Sequence, residues 1–166
     1  KWREANREQH LRQCREWSRN NREYRNNYAK ERHKDPTIKL RKNVSNVIYN
    51  TLTRENSDKQ GRSTWTHLPY TPQQLREHIE SQFDGSMTWD NYGSHWHIDH
   101  IYPQSRLPYD SMEHPNFLLC WSLDNLRPLS ATENLKKSNK ILDNHPQTRY
   151  IINTTTNHGD NMRMLS

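Results

Sequence analysis

Two cysteines, Cys14 and Cys120, are all that this 166-residue sequence holds. That excludes a disulfide framework, leaves no Cys-x-x-Cys pair for structural zinc, and points to a reducing compartment. Apolar residues are also scarce, at 30% with a mean hydropathy of −1.35. Only a small core can form, so much of the chain must be solvated or bound to something polar. No apolar run approaches the about 20 residues of a membrane span, so no membrane partner is expected, and nothing resembles a signal peptide. The first residue is Lys1 instead of Met, and the sequence is open upstream.

What is present in excess is positive charge, and it is unevenly spread. Twenty-five Lys and Arg against nineteen Asp and Glu give +6. Residues 1–35 hold eleven of the bases and six of the acids, a net of +5, whereas the other 131 residues, with fourteen bases and thirteen acids, are nearly neutral. A neutral body with an Arg-rich arm suits a phosphate backbone, because each neutralised phosphate releases condensed counterions. Arg12, Arg15, Arg19, Arg22 and Arg25 are the candidate backbone contacts; a solvated charged helix is the plain alternative.

The length allows one modest domain plus an appendage. Within the arm, Trp2-Arg3-Glu4-Ala5-Asn6-Arg7-Glu8 is echoed fifteen residues later by Trp17-Ser18-Arg19-Asn20-Asn21-Arg22-Glu23. That separation, about four helical turns, would align Trp2, Trp17, Tyr24 and Tyr28 along one long polar helix that packs on a partner or orders on DNA, a flexible or partly helical linker being the alternative. Asp35-Pro36 then breaks the chain. Leu40, Val44, Val47, Ile48 and Leu52 predict an amphipathic helix over 37–53, residues 54–70 read as a loop, and Thr71-Pro72 opens a helix carried by Leu75, Ile79 and Phe83. Alternation over 95–102 predicts a strand with Trp96 and Ile98 on one face and His97 and Asp99 on the other, ended by Pro103. A second apolar run spans 116–121. Ser130 and Glu133 form a capping-box pair opening a short helix through Lys137. The resulting division is an arm over 1–35, a body over 36–142 and a tail of open role over 143–166.

The chemistry-bearing residues cluster in the body. Trp96-His97-Ile98-Asp99-His100-Ile101-Tyr102-Pro103-Gln104-Ser105, then Asn125-Leu126-Arg127-Pro128-Leu129, then Asn134 and Lys137 resemble the HNH endonuclease motif, within residues 96–140. The Asp99-His100-Ile101 core with Pro103 and Ser105 also resembles the HNH module of RNA-guided CRISPR nucleases. The lead-in from Leu75 to Tyr92 is similar to that of phage-type HNH proteins. The family places a metal-binding His or Asn nine positions after its middle Asn, and Asn134 follows Asn125 by nine.

The resemblance implies an α+β fold: a ββα-metal nuclease core with flanking helices and a basic helical arm. It implies a phage-type homing, nicking or restriction endonuclease that hydrolyses double-stranded DNA in a bacterial or phage-infected cytoplasm, as a homodimer if both strands are cut. Asp99 and Asn134 would hold one divalent cation, Mg²⁺ or Mn²⁺, both being hard oxygen donors. His100 would be the general base, Asn125 would fix the His100 loop, and Arg127 and Lys137 would contact phosphates. Ser130 and Glu133 stand where many relatives carry cysteines, so structural zinc is not expected; His95, His97 and His100 are spread along a strand and make a weaker zinc set. His97 is read as a phosphate contact, an extra ligand, or an ordinary structural histidine. Two alternatives stay open: a non-catalytic nucleic-acid-binding protein that keeps the fold, and an RNA-cutting relative.

Overall fold

The computed structural model describes residues 2–141, 145, 146 and 148–154, apart from the side chains of residues 2–5. The chain divides into two compact units, Lys1–Lys39 and Leu40–Ser166.

The first unit contains α1 (Trp2–Asn20) and α2 (Arg22–Arg32). The single long helix expected here is interrupted at Asn21, whose φ of −107° and ψ of 24° leave the helical region. Asn20 and Asn21 are poor helix formers because their amides compete for backbone groups, and the Asn21 amide donates to the Trp17 carbonyl at 2.8 Å. Neither α2 nor the described part of α1 buries a residue. Trp17, Tyr24 and Tyr28 are each more than half exposed, and the two tyrosines stack at 6.4 Å with Arg32 above the Tyr28 ring. The Trp2 side chain lies outside the described residues.

The second unit has an α+β architecture around one two-stranded antiparallel sheet. Helix α3 (Pro36–Arg54) buries Leu40, Val44, Ile48 and Leu52, a stripe at strict i+4 spacing, while Val47, at the stripe's edge, stays exposed. Helix α4 (Pro72–Glu80) begins at Thr71, whose hydroxyl accepts from the Gln74 N–H while the Gln74 side chain accepts from the Thr71 N–H. It buries Leu75 and Ile79 and stops before Phe83, which joins Trp89, Tyr92 and Trp96 in an aromatic cluster.

Strand β1 (Trp96–His100) pairs with β2 (Leu126–Ser130), setting Trp96 opposite Ser130, Asp99 opposite Arg127 and His100 opposite Leu126. Between them, the apolar run folds as α5 (Pro115–Cys120), with Pro115 in the first turn and His114 Nδ1 accepting from the Asn116 N–H at 3.1 Å. Ser130 ends β2 and caps α6 (Ala131–Lys137). Its hydroxyl accepts from the Glu133 N–H at 3.2 Å and donates to the Glu133 carboxylate at 2.6 Å, so Glu133 reaches the serine hydroxyl instead of the capping backbone N–H. Helix α6 then packs back across both strands. One apolar cluster, with Leu40, Ile48, Leu75, Trp96, Phe117 and Leu126 at its centre, underlies all these elements. The tail contributes to it: residues 148–154 are helical and Ile151 is fully buried in that cluster. Among the described residues no helix is long and apolar enough to cross a membrane.

Candidate functional site

The end of β1 carries an acid and a histidine in succession, and three other elements close on them. Asp99 is buried; its Oδ1 accepts from Lys137 Nζ on α6 at 2.9 Å and its Oδ2 from Arg127 Nε on β2 at 3.0 Å. The Lys137 ammonium also donates to the His100 carbonyl at 2.7 Å. Strand alternation put Asp99 on the face shared with His97, opposite Trp96 and Ile98, yet it is more enclosed than Ile98 or His97. The reason is α6, which folds along the hairpin and lays Lys137 over that face. Lys137 is itself buried and Arg127 half-buried, so both bases read as phosphate contacts spend their charge on Asp99. A buried carboxylate needs such compensation, because removing one member of a buried pair leaves an unpaired charge.

His100 turns the other way. Its ring stands edge-on to Trp121 at 4.8 Å, and its Nε2 is buried with no hydrogen-bond partner among the described residues. Burial pushes its pKa down from 6.5 to about 4; the Asp99 charge acts against this shift and the Lys137 charge with it. The imidazole is therefore neutral at physiological pH.

Asn125, immediately before β2, is fully buried and clasps the loop that follows His100. Its Oδ1 accepts from the Tyr102 N–H at 2.7 Å, and its Nδ2 donates to the Tyr102 and Cys120 carbonyls at 3.2 and 2.9 Å. Its own carbonyl accepts from the Ile101 N–H at 2.8 Å. Every group of this buried amide side chain is thus spent on holding backbone.

Asn134 lies on α6 three residues before Lys137, and so shares the helix face that meets Asp99. Among the described residues no three His, Cys, Asp or Glu side chains converge on one point. Asp99 keeps lone pairs beyond the two taken by Lys137 and Arg127. A hard cation on this carboxylate would have to share it with the two bases that already bind both of its oxygens.

An open cleft of about 500 Å³ between α3 and β1 has His97 and His100 in its walls. His97 Nε2 lies 3.3 Å from the Gly93 carbonyl. Arg12, Arg15, Arg19, Arg22 and Arg25 are all exposed on the first unit. Two neighbours of the site escaped the sequence reading. Trp121, which walls His100, lay in an apolar run with no sign of its partner. Lys137 as the partner of Asp99 had a usable signal in its i+3 spacing from Asn134.

The chain is similar to two proteins of Acanthamoeba polyphaga mimivirus, each described as uncharacterized. One is 44% identical over 68 residues, covering 41% of this chain and 29% of the relative. The other is 30% identical over 122 residues, covering 67% of this chain and 51% of the relative. The chain therefore spans about half or less of the relatives it matches. No family model matches it. No solved structure matches it.

Proposed function

We propose that this chain is a metal-dependent endonuclease of the HNH type, hydrolysing phosphodiester bonds in double-stranded DNA. The observation that carries this reading is the ββα unit itself. Asp99 and His100 end the first strand, Asn125 precedes the second and pins the backbone after His100, and Asn134 comes from the helix folded across the pair.

In this reading Asp99 and Asn134 hold one Mg²⁺ or Mn²⁺, which when bound stabilises negative charge on the scissile phosphate and the leaving oxygen. His100 takes the proton of the attacking water. Burial keeps the imidazole unprotonated at neutral pH while lowering its basicity, and the role requires that water reach Nδ1, since Nε2 is enclosed. Lys137 and Arg127 hold the Asp99 carboxylate in place, and Asn125 keeps the His100 loop from shifting. The exposed arginines of the first unit supply sequence-independent contacts to the phosphate backbone.

One observation favours a second reading, a nucleic-acid-binding module without chemistry: the Asp99 carboxylate is already neutralised by two bases. Incubation with supercoiled plasmid separates the two. The nuclease relaxes or linearises plasmid in Mg²⁺ or Mn²⁺, stops in EDTA, and is abolished by His100→Ala with DNA affinity retained. Binding without cutting in either metal would establish the module, and undiminished cutting in excess chelator would overturn the metal-dependent mechanism.

A further inference from the structure

The cleft beside His100 differs from the rest of the molecule in its composition. Charged side chains make up 27% of the sequence, yet no Asp, Glu, Lys or Arg lines this cleft of about 500 Å³. Three asparagine amides line it instead, Asn43, Asn46 and Asn50 along one face of α3; Gln104 also borders it, with its amide N–H groups spent on the Thr51 and Tyr109 hydroxyls at 2.8 and 3.1 Å. The i, i+3, i+7 spacing of the asparagines turns all three amides to the same side of the helix. Trp121 and Tyr92 add aromatic wall.

A groove built for phosphate would carry Arg or Lys. A groove of neutral donors and acceptors with no charge matches the polar edge of a nucleobase, for which asparagine amides are natural partners. The cleft's volume suits one nucleotide and is far too small for a duplex. We infer that the cleft is a subsite for one unpaired nucleobase of the bound strand, read by the Asn46 and Asn50 amides. This deepens the nuclease reading, rests on it for the identity of the strand as nucleic acid, and requires one base of the duplex substrate to leave its pair to enter the cleft. Asn46 and Asn50 are exposed and outside the buried stripe of α3, so replacing them leaves the fold intact; the Asn43 amide already donates to the Tyr92 hydroxyl at 3.3 Å.

The test is a set of anisotropy titrations of the full chain in EDTA, which keeps the DNA uncut. The probes are a fluorescent single-stranded 12-mer, the same strand with its bases replaced by abasic sites, and the intact duplex. The wild type should bind the 12-mer roughly tenfold or more tighter than its abasic counterpart. Asn46→Leu/Asn50→Leu should remove that preference while leaving duplex affinity unchanged. Free nucleosides at millimolar concentration should compete with the 12-mer if a base alone fills the cleft. No competition, with the preference and its loss intact, would place the base there only as part of a strand. Equal affinity for the normal and abasic strands, or a preference that survives the double variant, would overturn the inference. Plasmid cleavage by the same preparation keeps the two ideas apart: cutting without base preference sinks only the subsite, and base preference without cutting sinks only the nuclease.

Discussion

At the scale of single residues, the unusual feature is a histidine kept neutral by its surroundings. Its folded pKa of about 4 lies below the ordinary 6.5, so the unfolded chain binds a proton that the folded chain refuses. The stability contributed by neutral burial is complete above pH 6.5 and is lost as pH falls from 6.5 through about 4. An NMR titration should show the His100 ring midpoint near 4, and the urea midpoint should fall more steeply over that window in the wild type than in His100→Gln. A ring titrating near 6.5 would contradict the enclosure of Nε2. As a base, His100 would likewise keep its lone pair well below pH 6.5.

Asp99 and Lys137 form the second residue-scale case. Asp99→Asn leaves the Lys137 ammonium buried without its carboxylate and should cost about 3–5 kcal/mol. Asp99→Asn/Lys137→Met removes both charges and should be less destabilising than the sum of the single changes, with a coupling of about 1–3 kcal/mol in urea unfolding. Strict additivity would mean that the pair, 2.9 Å apart, contributes nothing as a pair.

At the scale of elements, the parts with a local cause were legible and those with a tertiary cause were not. The α3 stripe, the Thr71 cap of α4, the β1 strand and the Ser130 start of α6 each follow from periodicity or a capping pair within a few residues. Helix α5 was legible only as an apolar run, because six residues are too few to display a period and its start depends on His114 and Pro115. The candidate site divides likewise. Asp99, His100, Asn125 and Asn134 stood out through the resemblance of their sequence pattern to the HNH motif. The burial of Asp99 did not, since it follows from α6 folding over the hairpin, which strand alternation does not encode. The docking of Ile151 also depends on contacts distant in sequence. The stripe makes its own prediction: Ile48→Ala, at a fully buried position, should cost about 2–5 kcal/mol, whereas Val47→Ala, exposed at its edge, should change the urea midpoint little.

At the scale of the whole molecule, charge and core are segregated. The first 35 residues hold +5 of the +6, and helices α1 and α2 bury nothing among their described side chains, while the second unit contains the whole apolar cluster. Removing residues 1–35 should therefore leave a folded body and, on the nuclease reading, one with weaker, less salt-dependent DNA binding and slow residual cleavage. Gel shifts across several salt concentrations measure this. An unchanged affinity and slope would make the arm a linker.

The two cysteines fall one to each unit, and their environments are opposite. Cys120 is sealed in the core, where burial raises its thiol far above the usual range, whereas Cys14 stands exposed on α1. Thiolate is the reactive form and needs access, so an alkylating dye under native conditions should couple at Cys14 and leave Cys120 untouched. The wild-type chain thus needs no engineering to carry a single optical reporter, placed on the arm. Delayed labelling of Cys120 in the same sample would then time the opening of the core.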